Sequence, residues 1–163
     1  MSFSPSDNLK QEVAELLTHY PEGEQRSASL MVLHAIQSEA GYISKEAMQW
    51  AADEIGIAPL NLYELVTFYP MLREEQPGKY VLKVCRTLSC ALAGGMDLHK
   101  SLCNKLKLDP KKHGLQTTED KKFSIEFAEC LASCGTGPVM MCNDDFYEAV
   151  DDAKTVEILG GCE

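Results

Sequence analysis

The stretches GKYVLKVCRTLSC (78–90) and KFSIEFAECLASC (122–134) decide the fold. In KYVLKV (79–84) and FSIEFA (123–128), apolar residues alternate and put Tyr80, Leu82 and Val84, then Phe123, Ile125 and Phe127, on single faces. That period of two predicts strands. Between them, residues 94–107 carry Leu98, Leu102 and Leu106 in helical step, which predicts a strand–helix–strand unit. A crossover helix connects parallel strands, and parallel strands have their carboxyl ends on one edge of the sheet. Cys85 closes the first strand and Cys130 follows the second. The two cysteine pairs, Cys85/Cys90 and Cys130/Cys134, are therefore expected on one rim, roughly 5–10 Å apart.

Four thiols in two pairs match the ligand set of a 2Fe–2S cluster, two sulfurs per iron. Their intervals, C-x4-C and C-x3-C, are wider than the C-x2-C knuckles that structural zinc favours, although wider zinc pairs occur. A zinc-stabilised interaction module without a redox role is thus the second reading. The quartet contains no C-x-x-C, so a dithiol oxidoreductase has little support. Gly94, Gly95, Gly135 and Gly137 follow the pairs closely and would let backbone approach the sulfurs, or serve as ordinary turn glycines.

Upstream, the chain reads helical. Leu9, Val13, Leu16 and Leu17 form one apolar stripe that stops near Tyr20-Pro21. A second helix runs from about Gln25 to Gly41, a third follows an N-cap at Ser44, and Pro59 opens a fourth. The REEQPGK stretch breaks the pattern, which places a boundary near Gly78: residues 1–78 a helical bundle, residues 79–163 an α/β domain. Beyond the second cysteine pair, VMMC (139–142) and DFYEAV (145–150) flank Asn143-Asp144 as a hairpin, and a last helix spans 152–159.

The formal net charge of -10 is concentrated in residues 1–78 and argues against nucleic acid or anionic lipid as a partner. No apolar run approaches the roughly 20 residues needed to cross a bilayer, and MSFSPSDNLKQEV resembles no leader, so a cytoplasmic location without direct membrane insertion is expected. Seven cysteines there favour metal or redox chemistry over a disulfide framework. Cys103 and Cys142 are expected as small core hydrophobes and Cys162 as an exposed, idle thiol. His19, His34, His99 and His113 lack ligand spacing, and Trp50 reads as helical core. Lysines between Lys100 and Lys122 read as a solvated face, or as a surface for an acidic partner. GTGP (135–138) is no nucleotide site, and Ser89 and Ser133 have no triad partners, so no catalytic residue is expected.

The string YPEGEQRSASLMVLHAIQSEAGYISKEAM, LYELVTFYPML, GKYVLKVC and ECLASCGTGPVMMCNDDFY resembles the thioredoxin-like 2Fe–2S ferredoxin subunit of NADH:quinone oxidoreductase, the 24 kDa family of complex I. The resemblance covers about Tyr20 to Tyr147 and includes all four cysteines in order. It implies a small helical bundle followed by a thioredoxin-like domain with one 2Fe–2S cluster on Cys85, Cys90, Cys130 and Cys134. It also implies a larger flavoprotein partner that holds FMN and the NADH site, and other subunits of the peripheral arm of a membrane-bound complex, on its cytoplasmic side. Related subunits serve NAD-reducing hydrogenases and NAD-dependent formate dehydrogenases. The acidic helices would dock the flavoprotein or shield the sheet. Pro138 stands where thioredoxin-like folds often carry a cis-proline. Where the family often has CLGAC, this chain has CLASC, with Ala132 in place of a glycine.

Overall fold

A computed structural model describes residues 3–163; Met1 and Ser2, which begin the stretch read as lacking a leader, lie outside them. The chain divides into two compact units, residues 1–76 and 77–163.

The first unit is helical: α1 (Asp7–Thr18), α2 (Ser29–Ala40, preceded by a 3-10 turn at Gln25–Ala28), α3 (Lys45–Ile55) and α4 (Pro59–Phe68). The side chain of Ser6 caps α1 through Leu9 N–H, and that of Ser44 caps α3 through Ala47 N–H, each at 3.1 Å. Gly41 (φ 82°) and Gly56 (φ 79°) end α2 and α3 in the left-handed region, and Pro59 starts α4. Leu9, Val13, Leu33, Ile36, Ile43 and Leu62 are at most 2% exposed and form this unit's core. Trp50 packs against that core from its edge, with its ring 5.6 Å from that of Phe3.

The second unit is built on a five-stranded sheet. Its strands are β1 (Tyr80–Cys85), β2 (Gln116–Thr117), β3 (Phe123–Ala128), β4 (Met140–Cys142) and β5 (Asp145–Tyr147), in the order β2-β3-β1-β4-β5. β1 runs parallel to β3, with Tyr80 opposite Phe123 and Cys85 opposite Ala128. Two helices lie between them in sequence, α5 (Leu88–Leu92) and α6 (Gly95–Lys105). α6 buries Leu98 and Leu102 against Leu82, Val84 and Ile125. β4 and β5 form the hairpin expected around Asn143-Asp144, and β4 lies antiparallel to β1. Asn143 takes φ 52°, and its side-chain amide clamps β1 by accepting from Val81 N–H and donating to Lys79 C=O. α7 (Asp152–Gly160) follows the hairpin and is tied to α6 by the Lys105–Asp152 ion pair at 2.9 Å. Among the described residues, no helix is long and apolar enough to cross a membrane.

Three features differ from the sequence expectation. α5 (Leu88–Leu92) is absent from the sequence expectation, being a helix too brief to leave a periodic signal. β2 pairs with β3 although both its residues are polar; the pairing comes from tertiary contact rather than propensity. Cys162 is not an exposed thiol. It is 8% exposed and belongs to the sheet's core cluster, because the turn after α7 folds it back under the helix. Cys103 and Cys142 are buried as expected.

Candidate metal centre

The carboxyl ends of β1 and β3 lie side by side, and both cysteine pairs grow from them. Arg86 N–H continues the ladder onto Ala128 C=O at 3.0 Å, and the Arg86 side chain meets Glu129 (Nε–Oε1 3.0 Å) across the two strand ends. That pair is exposed and contributes modestly, about 0–1 kcal/mol. Its position still fixes the start of the second cysteine loop beside the first.

Cys85 and Cys90 are each 1% exposed and pack with Val139 in a small cluster separate from the main core. Cys85 is the last residue of β1, and its N–H donates to Val139 C=O. Cys90 faces inward from α5 while Leu88 and Leu92, on the other side of that short helix, are 75% and 81% exposed. Cys130 and Cys134 are exposed, with their sulfurs 3.9 Å apart. The rim therefore has a buried pair and a solvent-facing pair.

Hydrogen bonds join the two pairs. The Thr87 hydroxyl lies 3.3 Å from Cys85 Sγ and also bonds the Cys130 thiol. Leu131 N–H, in the second loop, reaches the Cys85 sulfur. Burial pushes the Cys85 thiol up, but hydrogen bonds from Thr87 Oγ1, Leu131 N–H, Thr87 N–H and the Cys90 thiol outweigh it, and the net shift is downward. Burial dominates at Cys90 and pushes it up against the opposing Val139 N–H, with the neighbouring Cys85 and Cys134 adding to the rise. Cys130 is held below the usual thiol range by Ala132 N–H (3.4 Å to Sγ), the Cys134 thiol and Thr87.

The loop's backbone is shaped for this. Ala132 takes φ 62°, a left-handed conformation that favours glycine, and so aims its N–H at Cys130. Glu148 latches the loop from the hairpin side by accepting from the hydroxyls of Ser133 and Thr136 (the latter at 2.6 Å), which hold its carboxyl below the usual carboxylate range. Of the four glycines singled out in sequence, Gly137 approaches a sulfur: a Cβ there would sit 3.5 Å from Cys90 Sγ. Gly95 is required for a different contact. A Cβ there would come within 2.8 Å of the carbonyl oxygens of both Cys85 and Cys90. The Gly137–Pro138 peptide is cis, in keeping with the thioredoxin-like resemblance.

Among the described residues, no three His, Cys, Asp or Glu side chains converge on a point suited to a single metal ion. The thiols stand as two pairs, which is the division a two-iron group takes. Main-chain N–H groups of Leu131, Val139 and Ala132 are already directed at three of the four sulfurs, the kind of outer bonding that supports thiolate ligands. The donor set and its surroundings thus fit a 2Fe–2S group. Thr87 and Glu148 carried no separate signal in the sequence, whereas Ala132 was marked by the resemblance as standing in place of a glycine. Thr87 could have been suspected from its place inside C-x4-C.

Relatives match this chain over most of its length. The homologous NADH-quinone oxidoreductase subunit from Aquifex aeolicus is 37% identical over 158 residues, 96% of this chain and 94% of that protein. Subunit 2 of the Thermus thermophilus NADH-quinone oxidoreductase is 35% identical over 95% of this chain and 84% of its own length. The mitochondrial NADH dehydrogenase [ubiquinone] flavoprotein 2 of Dictyostelium discoideum is 35% identical over 90% of this chain, which spans 58% of that protein. Among solved structures, an NAD+-reducing [NiFe]-hydrogenase in its air-oxidised state shares the fold, with TM-score 0.69 at 18% identity over 81% of this chain and 22% of the hydrogenase chain. The family model for the thioredoxin-like [2Fe-2S] ferredoxin matches residues 13–163, and the chain belongs to that family.

Proposed function

We propose that this chain binds one 2Fe–2S cluster through Cys85, Cys90, Cys130 and Cys134 and serves as an electron-transfer subunit of an NADH:quinone oxidoreductase. The observation that carries the reading is the joining of two pairs, 45 residues apart from Cys85 to Cys130, by the Thr87 hydroxyl and the Leu131 N–H at the shared edge of β1 and β3. When bound, such a group supplies one-electron chemistry.

The residues divide the work. Buried Cys85 and Cys90 would hold the group on its protein side, where their burial excludes water, and exposed Cys130 and Cys134 would hold it on the side open to a partner. The N–H groups of Leu131, Val139 and Ala132 donate to the sulfurs of Cys85, Cys90 and Cys130 and would stabilise negative charge on them as ligands. Leu88 and Leu92, exposed on α5 beside this rim, supply apolar surface that a partner subunit would cover. The chain has no nucleotide motif, so hydride chemistry belongs to a partner flavoprotein with FMN and the NADH site, in a peripheral arm on the cytoplasmic side of the membrane.

The host complex has an alternative in the fold shared with the NAD+-reducing hydrogenase, the same electron-carrying role in a hydrogenase, and the family resemblance adds a formate dehydrogenase. Affinity purification of the tagged chain from gently solubilised cells, grown anaerobically and aerobically, separates them. Co-purified flavoprotein and membrane-arm subunits support the quinone reductase. A nickel–iron or molybdenum subunit in their place overturns it, and recovery of the chain with no flavoprotein at all contradicts the electron-transfer reading itself.

A further inference from the structure

Two thiols outside the metal rim also meet. Cys142, on β4, and Cys162, past α7, bring their sulfurs to 3.9 Å across 20 residues of sequence. Cys142 lies opposite Leu82 in the sheet, three residues upstream of Cys85 on β1 and thus about 10 Å from it along the strand. Both thiols belong to the main core cluster of the sheet, whereas Cys85 and Cys90 belong to the smaller one at the rim. They are a separate pair, and the rim's chemistry does not use them.

Cys162 is held in place from both sides. Its sulfhydryl donates to Ile158 C=O at 3.3 Å. The next residue, Glu163, accepts at its main-chain oxygen from Lys79 Nζ and from the Tyr80 hydroxyl, at 2.7 and 2.9 Å. The approach to a disulfide requires closing the sulfurs to about 2.05 Å, a movement of roughly 2 Å. A turn of the Cys162 side chain away from Ile158 C=O moves its sulfur without displacing the strand. A cleft of about 350 Å³ is lined by Tyr80, Cys142, Tyr147, Lys154, Glu157 and Cys162, so both cysteines border it.

We propose that Cys142 and Cys162 are an oxidisable dithiol, which closes into a disulfide by exchange with a small-molecule disulfide of the glutathione type and pins the segment after α7 to β4. Cys162 gives up its proton to solvent and its sulfur attacks one sulfur of glutathione disulfide; the protein–glutathione bond forms, the original S–S bond breaks, and one glutathione leaves as a thiolate and takes up a proton. Cys142 then gives up its proton to solvent and attacks Cys162 Sγ, and the second glutathione leaves and takes up a proton. Two protein thiols lose two electrons in total, and one glutathione disulfide becomes two glutathione molecules. Burial, with Cys162 and Asp145 adding to it, pushes Cys142 up to about 12, so Cys142 gives up its proton reluctantly and Cys162 is assigned the first attack.

The test uses the whole chain, purified anaerobically as isolated, and equilibrated in glutathione mixtures from fully reduced to fully oxidised. Free thiols are alkylated and the protein is digested and mapped by mass spectrometry. Support is a joined peptide linking Cys142 to Cys162 whose amount rises with glutathione disulfide, and an unfolding midpoint about 10 °C higher in the linked form. In Cys142→Ser, a glutathione adduct retained at Cys162 supports the stated order of attack. The map of the unmodified chain stands even if a variant folds poorly. No joined peptide at the most oxidising mixture after prolonged incubation overturns the proposal. So does an unfolding midpoint that does not rise when the bond forms, since the bond would then pin nothing.

Discussion

Ala132 shows at single-residue scale how the rim is held. A residue with a Cβ occupies a left-handed position there, so that its N–H can reach the Cys130 sulfur. Ala132→Gly should leave the site intact and change stability by no more than about 1 kcal/mol, because relief of strain is offset by greater freedom in the unfolded chain. Ala132→Val should cost about 1–2 kcal/mol, read as a shift in denaturant midpoint; an unchanged midpoint would show that the loop does not need this conformation. The cysteines divide in the same way. Cys85→Ser or Cys130→Ser should abolish the visible absorption and lower stability, since ligation couples to folding. Cys103→Ala should leave the spectrum intact, because Cys103 packs with Leu98 and Leu102 in the other cluster. The quartet was legible because four thiols at two separate spacings are rare, and each pair follows an alternating strand. Thr87 and Glu148 were not, because a hydroxyl and a latch are set by three-dimensional neighbours. The burial of Cys162 was missed for the same reason: a residue past the last helix gave no periodic cue.

At the scale of elements, α6 is the part whose seating matters most. Its first residue, Gly95, touches the carbonyls of Cys85 and Cys90, so Gly95→Ala should force the helix off β1 and α5 and cost roughly 2–4 kcal/mol. Wild-type stability in that variant would contradict the close approach. The same helix carries His99, buried and stacked on Phe127 of β3 at a 3.8 Å centroid separation, with Cys103 3.7 Å from Nε2. Burial holds its pKa below the usual 6.5, so the unfolded chain takes up a proton more readily than the folded one. Stability should therefore be constant above about pH 7 with respect to this group and fall as the pH drops through 6.5 and below. His99→Phe should flatten that fall between about pH 7 and 5 in urea titrations; an unchanged slope would assign it elsewhere. The long periodic helices and the two central strands were readable from apolar spacing. α5 and β2 were not, since five residues and two residues are too short for a period to repeat.

At the scale of the whole molecule, an acidic helical unit and a nearly neutral α/β unit share one chain, and the exposed leucines of α5 stand beside the cysteine rim. Replacement of Leu88 and Leu92 by serine should leave the chain folded and its spectrum unchanged, while the flavoprotein recovered with it falls at least several-fold; full recovery would place the docking surface elsewhere. The α/β architecture followed directly from the order of strand and helix patterns, whereas the exposed face of α5 could not be inferred from sequence, since exposure of single leucines depends on how α5 turns. The central claim is that sulfurs from two strand ends hold a two-iron group together. Its most direct test is iron and acid-labile sulfide analysis of the anaerobically purified chain, with EPR after reduction of the same sample. About two irons and two sulfides per chain, with a reduced signal lost in Cys85→Ser and Cys130→Ser alike, is the expected result. A colourless protein with one zinc on those thiols would contradict it.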